Sequence, residues 1–391
     1  MAALDFPSSP SNGQQFSGPG GVTWVYDLAG TKWVAATLAG GVFAPLVSPP
    51  LTGNPTAPTP AAGDADTSIA TTAFVGAAVT AGAATNVGRN LIHNSMFNVA
   101  QRGVGVFNTT GTWTLDRWRI DFGLDTFSLS QVSYVGVLPD EEAANCMAVT
   151  VTGNAGPTAF SLVSQNIENV RRLAGKTITV SFWANSTSGT PKVGVGFRQS
   201  FGTGGTPHAV VDINATPVTL STVATRYSVT VTLPSIAGFT VGTDPNTSFT
   251  RLGFFFSAGA NTNTIAGGIG VQTGPFTFVL WGVQFEIGAV ATPLEKRDPV
   301  DELQQCQRFY QTGTAGLESY NTAGAGIGYR HAFAVTMRAV PTTVALSAPS
   351  YVNASGATTV SVTFDSFEFK ATVTATGAAV ANAAYTASAD L

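Results

Sequence analysis

The chain reads as mainly β, organised around a central two-sheet sandwich of the jelly-roll kind, and three observations predict that class. Short runs that alternate apolar and polar residues recur between residues 90 and 297, the period of a strand with one buried face. The connections between them are rich in Gly, Thr and Asn, and the chain holds 43 glycines, which suits tight turns. One run, FTFVLWGVQF, is apolar on both sides. Strict alternation puts Phe276, Phe278 and Leu280 on one face and Val279, Trp281, Val283 and Phe285 on the other. Such a strand needs cover on both sides.

Residues 1–45 carry short strand signals broken by turns at Asn12-Gly13 and at Gly18-Pro19-Gly20-Gly21. VTWVY (22–26) and TKWVA (31–35) predict a hairpin across 27–30. So small a β unit does not bury Trp24, Tyr26 and Trp33 alone; identical copies or a larger body must cover them. Residues 46–89 form a linker and a short helix. Pro49, Pro50, Pro55, Pro58 and Pro60 make a stiff, extended spacer. Asp66 then caps a helical stretch with Ile69, Ala73, Gly76 or Ala77, and Thr80 on one face and Phe74 to one side. Thr, Val and Gly are weak helix formers and the stretch is short. Two readings stand: self-association of parallel copies, three of them, or a flexible Ala/Gly tether.

Residues 90–297 form the sandwich. ITVSFWA (178–184) points Ile178, Val180, Phe182 and Ala184 inward, and RYSVTVTL (226–233) does the same with Tyr227, Val229, Val231 and Leu233. MAVTVT (147–152), FSLVSQ (160–165), KVGVGF (192–197) and RLGFFF (251–256) supply further strands. Residues 298–313 then switch to a helical period. Asp298 is the N-cap, Pro299 the first helical residue, and Asp301 and Glu302 face the positive helix end. Leu303, Cys306 and Tyr310 share a stripe, and Gly313 is the expected stop. That stripe, with Trp281, is expected to pack at a symmetry axis or a neighbouring subunit. Residues 314–391 form a C-terminal β domain. HAFAVTMR (331–338) alternates through Phe333, Val335 and Met337, Pro341 opens another strand, and a hairpin turns around Asp365.

Composition excludes several functions. A chain of 391 residues suggests two or three compact units. Charged residues make up 10%, against about 25% in ordinary soluble domains. The net charge is −4 and Lys and Arg do not cluster, which argues against nucleic acid as a partner. No apolar run reaches the ~18–20 residues of a membrane helix, and the N-terminus lacks the pattern of a signal peptide. No membrane insertion is expected, and synthesis in the cytoplasm without disulfides is. Cys146 and Cys306, the two cysteines, read as buried reduced thiols.

Catalytic chemistry finds little support. His93, His208 and His331 have no second ligand at metal spacing, and no GxSxG elbow, P-loop or HExxH occurs, so no cofactor and no metal is expected. Asp116, Asp121 and Asp125 cluster near Trp113, Trp118 and Phe122, but Asp116-Arg117 reads as a structural ion pair. Glu286 and Glu295 are expected to pair with Arg or Lys. Binding remains. Aromatic faces on loops of a rigid sandwich hold sugars, and Trp113, Trp118, Trp183, Phe201 and His208 are the candidates, with loops 198–209 and 257–274. Each tryptophan serves equally well as a core anchor.

Several stretches also resemble a known family. VQFEIGAVATPLEKR (283–297), followed by DELQQCQRFYQ (301–311), closely resembles a recurring join in bacteriophage tail-fibre and related virion appendage proteins. NLIHNSMFNVAQRG (90–103), LDRWRI (115–120) and GKTITVSFWA (175–184) agree with it. Near the N-terminus, FPSSPSNGQQFSGPGGVTWVYD and PLTGNPTAPTPAAGDADTSIATTAFV belong to the same class. The resemblance implies a carbohydrate-binding-type β-sandwich in a structural fibre protein of a tailed bacteriophage. It further implies a homotrimer located in the virion, with residues 1–45 attaching to other virion proteins and the β domains turned toward a host cell-surface glycan. A purely architectural collar, head or baseplate fibre is the alternative; a polysaccharide-degrading or deacetylating spike is a third reading.

Overall fold

The computed structural model describes residues 5–18, 22–38, 56–62, 64, 66–84, 88–134, 140, 142–244 and 246–391, in two compact units, 1–79 and 80–391. The proline-rich spacer over 46–55 lies outside the described residues.

In the first unit, β1 (Gln15–Ser17), β2 (Val22–Asp27) and β3 (Lys32–Leu38) form an antiparallel sheet in the order β1-β2-β3. Its aromatics gather around Phe6, whose ring stacks on Trp33 at 5.1 Å and meets Phe16 at 5.0 Å and Trp24 at 5.6 Å. The rings thus shield one another, yet Trp24, Tyr26 and Trp33 stay only half-buried. Helix α1 (Thr72–Ala84) starts later than the sequence suggests. Thr71 Oγ1 caps it by accepting from Phe74 N at 3.1 Å, while Asp66 closes a local turn onto Ser68 N. Ile69 precedes the helix and is 71% exposed; Phe74 is half-buried.

The second unit begins with the sandwich. One sheet has six strands in the order β11 (Val211–Thr219), β10 (Lys192–Phe201), β13 (Ser248–Ala258), β8 (Phe160–Glu168), β5 (Arg119–Gly123) and β4 (Thr112–Trp113). The other has five, in the order β12 (Thr225–Thr232), β9 (Thr177–Ser186), β14 (Phe276–Ile287), β7 (Asn145–Thr152) and β6 (Thr126–Ser133). The inward faces read as the alternation dictates. Ile178, Val180, Phe182 and Ala184 meet Leu252, Phe254 and Phe256 in one core.

Strand β14 departs from simple alternation. Gly282 adopts φ +60°, and pairing with β9 shifts between Trp281 and Gln284. This bulge changes the face of every residue beyond it. Val283 and Phe285 therefore join Phe278 and Leu280 in the main core, while Trp281 packs outside it with Met96, Ala143 and Cys146. Trp281 is thus fully buried within the chain. Beyond the bulge, the segment from Asn90 takes over the ladder. Leu91 N donates to Phe285 O at 2.8 Å and Val283 N to Ser95 O at 3.0 Å. Glu295 holds that segment by accepting from Gly88 N and Asn90 N, each at 2.6 Å.

Helix α2 (Pro299–Gln307) is capped as its sequence demands, Asp298 Oδ1 accepting from Val300 N at 2.8 Å. It is shorter than its periodicity suggests. Tyr310 opens strand β15 (Tyr310–Asn321), and Gly313 lies inside that strand rather than ending the helix. Cys306 points into the chain, fully buried, while Leu303 is 37% exposed, so these residues and Tyr310 do not form one outward stripe. Both cysteines are free and buried.

The C-terminal β domain pairs two three-stranded sheets. One runs β15, β20 (Gly377–Ser388), β17 (Thr343–Val352); the other runs β16 (Gly326–Ala332), β19 (Ser366–Val373), β18 (Ala354–Val360). Residues 333–338 form no strand, although Phe333 and Met337 are buried as their pattern requires. The domain locks onto the sandwich through charge and aromatic contacts. Arg117 Cζ lies 3.3 Å from the centre of the buried Phe309 ring, and Arg102 lies over Tyr310 at 3.5 Å while pairing with Asp390. Arg308 and Arg338 both reach Glu168.

Candidate functional site

The outer face of the six-stranded sheet is divided in two. Residues 259–275 fold back over one half, where Leu162, Ala215, Phe255, Ala258, Ala266 and Ile269 make a small second core. Close approach depends on Gly194, where a Cβ would sit 2.3 Å from the Ala266 carbonyl oxygen. The loop is pinned by Ala215 N donating to Ile265 O at 2.8 Å and by Thr262 Oγ1 donating to Ala159 O at 3.1 Å. What it leaves uncovered is a cleft of about 440 Å³.

Register places the cleft's polar side chains in rows. Arg251 stands directly opposite Asn166 on β8 and Arg198 on β10, and Arg198 stands opposite Asp212 on β11. In the next row Arg119, Ser164, Gly253 and Gly196 align; in the one after, Asp121, Leu162, Phe255 and Gly194. Outward positions two residues apart thus build one surface from five strands. Two of its arginines are occupied. Arg198 holds Asp212 with Nε and Nη2 at 2.6 and 2.9 Å, and Arg119 holds Asp121 at 3.0–3.2 Å.

Arg251 is different. It lines the cleft half-buried, and its side chain makes no hydrogen bond or ion pair among the described residues. Burial, and then the neighbouring Arg198 guanidinium, lower it to about 10; it is still cationic at neutral pH. Asn166 donates from Nδ2 to the Leu391 oxygen, while its buried Oδ1 has no partner. Phe249, Phe160 and Ile265 supply apolar rim. Aromatic faces beside planar polar groups can hold a sugar ring and its hydroxyls.

A second hollow, about 370 Å³, lies between residues 94–101 and α2 and is lined partly by Met96, Pro299 and Leu303. Its polar groups are engaged in holding the chain: Asn94 with Val99 and Asp116, Gln101 with Asp116, Arg297 with Ile92 and Glu302. Asn98, at its exposed edge, accepts from Asn145 Nδ2 at 3.2 Å.

The five aromatic candidates from sequence are not brought together. Trp118 is fully buried between Phe97 and Phe254, a core anchor. Phe201 is buried too, edge-on to His208 and Phe239, and His208 stacks on Phe239 at 3.8 Å in the exposed 202–209 loop. Trp183 is half-buried against Gly282 on the outer face of the other sheet. Trp113 alone lies near the cleft, its ring 6.0 Å from the Arg119 guanidinium. Of the two loops singled out, 257–274 borders the cleft through Thr262 and Ile265.

The carboxylates also sort differently from the sequence reading. Asp116 does not pair with Arg117. It accepts from Gln101 N and Nε2 at 2.7 and 2.6 Å, and burial raises its carboxyl. Arg117 has positive φ, which turns its side chain away toward Phe309. Glu286 does meet Arg89, at 4.0 Å, and Glu295 meets Arg297, at 3.8 Å. The cleft residues Arg251, Arg198, Asn166 and Ser164 escaped the sequence reading. A usable signal was present: an arginine at the outward position of an otherwise apolar strand, as in FTRLGFFF.

No protein-family model and no curated protein matches the chain. Similar solved structures include the enzymatically active domain of tailspike protein 4 from bacteriophage CBA120. That match has 13% identity, covers 51% of this chain and 22% of that one, and has a TM-score of 0.30. The chain therefore spans about a fifth of the tailspike structure. The family 11 carbohydrate-binding module of Clostridium thermocellum, in complex with a β-1,3-1,4-mixed-linked tetrasaccharide, is similar at 13% identity, covering 48% of this chain and 98% of the module at a TM-score of 0.29. The C-terminal family 22 module of Xyn10B from the same organism reaches 14% identity, 53% and 98% coverage, and 0.29. At these scores the likeness is too loose to carry a function across.

Proposed function

We propose that this chain is a structural fibre protein of a tailed-bacteriophage virion, a homotrimer whose sandwich binds a host cell-surface glycan in the cleft. The family-like stretches support the virion role, with residues 1–45 as the attachment end. The cleft carries the binding role, because the loop over one half of the sheet leaves aromatic rim and planar polar groups together on the other. Binding without cleavage fits its chemistry. Glycoside hydrolysis needs two carboxyl groups available at the bond, and here Asp121 and Asp212 are each held by an arginine.

Screening the full chain against immobilised capsule and lipopolysaccharide glycans tests the binding role. Wild type is expected to retain a defined subset, and Phe249→Ala to weaken capture by about tenfold. Retention of no glycan at any density would overturn it. Analytical ultracentrifugation tests the assembly: a stable monomer at micromolar concentration would remove the trimer.

A further inference from the structure

Resting on the glycan-binding reading, we infer that the cleft selects an acidic sugar, with the Arg251 guanidinium taking the carboxylate of a uronic-acid-type unit. Three arginines line this cleft against one aspartate, Asp121, with Asp212 behind Arg198, on a chain whose net charge is −4. Two of the three are each paired with an aspartate through Nε and Nη2. The third, Arg251, sits mid-floor between Phe249 and Phe255 on the same strand face, with no partner among the described residues. A half-buried cation that folding leaves unpaired is costly to keep, and an anionic ligand supplies the missing partner.

The surroundings define the anion. Beside Arg251, Gly253 and Gly196 carry no side chain, and Leu162 leans over Gly253, whose Cβ would lie 2.8 Å from Leu162 Cδ1. A flat apolar floor therefore adjoins the guanidinium, matching one face of a pyranose ring. Asn166 and Ser164 line the cleft beside this floor. The planar fork of arginine fits a carboxylate at two points. A phosphate ester would bring nearly two negative charges to a floor where Arg251 is the one unpaired cation among the described residues, beside Asp121 and Asp212. A single carboxylate balances it.

Isothermal titration of the full chain decides this. The probes are glucuronate- and galacturonate-containing oligosaccharides, the same oligosaccharides after reduction of the carboxyl to a primary alcohol, and a phosphorylated oligosaccharide. Wild type is expected to prefer an acidic form over its reduced form by about ten- to a hundredfold. Arg251→Gln should erase that preference, while Arg251→Lys restores part of it. Because the Arg251 side chain has no partner among the described residues and its burial is uncompensated, Arg251→Gln should not lower the melting temperature. Equal affinity for acidic and reduced forms, or a preference untouched by Arg251→Gln, overturns the acidic selectivity and leaves glycan binding standing. Preference for the phosphorylated probe overturns the carboxylate assignment. Binding to neutral oligosaccharides alone does the same, and binding to no oligosaccharide of any kind removes both readings.

Discussion

The sandwich and the C-terminal β domain are both two-sheet structures, yet they are packed from different residues. The main sandwich core gathers 31 buried residues, of which Ala184 is the single alanine. The C-terminal core gathers 16, of which eight are alanines, four of them alternating along β20 at 379, 381, 383 and 387. A fully buried Phe, Leu or Val contributes roughly 1.5–3 kcal/mol, while each methyl-sized group gives nearer 0.8. The first core is thick and self-sufficient. The second is thin, and its aromatic share is concentrated where Phe367 meets Tyr385 at 4.9 Å. It compensates by clamping onto the sandwich through Arg102, Arg117, Arg308 and Arg338. The rigid body carries the cleft, and the thinner domain depends on it.

The largest effect should come from the sandwich core. Phe254→Ala removes a ring set edge-on to Phe182 at 5.1 Å and should cost about 3–5 kcal/mol in denaturant unfolding. A loss under about 1 kcal/mol would mean that the core is looser than this packing implies.

Next is the clamp. Arg102→Ala leaves Asp390, nearly inaccessible, without its cation, at a cost of about 3 kcal/mol. Differential scanning calorimetry should then resolve an earlier transition for the C-terminal domain. One unshifted transition would show that the thin core stands by itself.

The bulge in β14 ranks third. A Cβ at Gly282 would lie 3.0 Å from Leu294 Cδ2, on a backbone at φ +60°, so Gly282→Ala should cost about 1–2 kcal/mol. An unchanged melting temperature would mean that the bulge relaxes freely.

A pH dependence tests the seam between the two regions. His93 faces Phe309, and burial first, then Arg117, Arg297, Arg308 and Arg172, hold its imidazole well below the usual value. The unfolded chain therefore takes up the proton near pH ~6.5 while the folded chain does not. Stability is fully present above that pH and is lost as pH falls toward the folded value, by up to about 1.4 kcal/mol per unit. His93→Phe should flatten this part of the profile; an identical slope in the variant would assign it to other groups.

The smallest expected change is in the thin core. Ala383→Gly should cost about 1 kcal/mol, and a loss equal to that of Phe254→Ala would erase the contrast between the cores.

The sequence by itself determined the class and the inward faces. Alternation along 178–184 and 226–233, and the Asp298-Pro299 start of α2, are local signals, because a strand's period and a helix cap are properties of neighbouring residues. Tertiary structure decided the rest. Alternation assigns Val283 and Phe285 to the Trp281 side until Gly282 adds its bulge, whose place is set by Leu91 and Ser95 arriving from nearly two hundred residues away. Tyr310 fits a helical stripe equally well, yet β20 recruits it as a strand partner through Ser388. Trp118 and Phe201 are buried for the same reason. Whether Trp118 or Phe201 faces solvent depends on which sheet covers it, and no local pattern carries that. The cleft is the extreme case: Arg119, Asn166, Arg198, Asp212 and Arg251 lie on five strands and become neighbours only through register. Among the described residues the Arg251 side chain is unpaired there because its nearest row partners are Asn166 and another arginine.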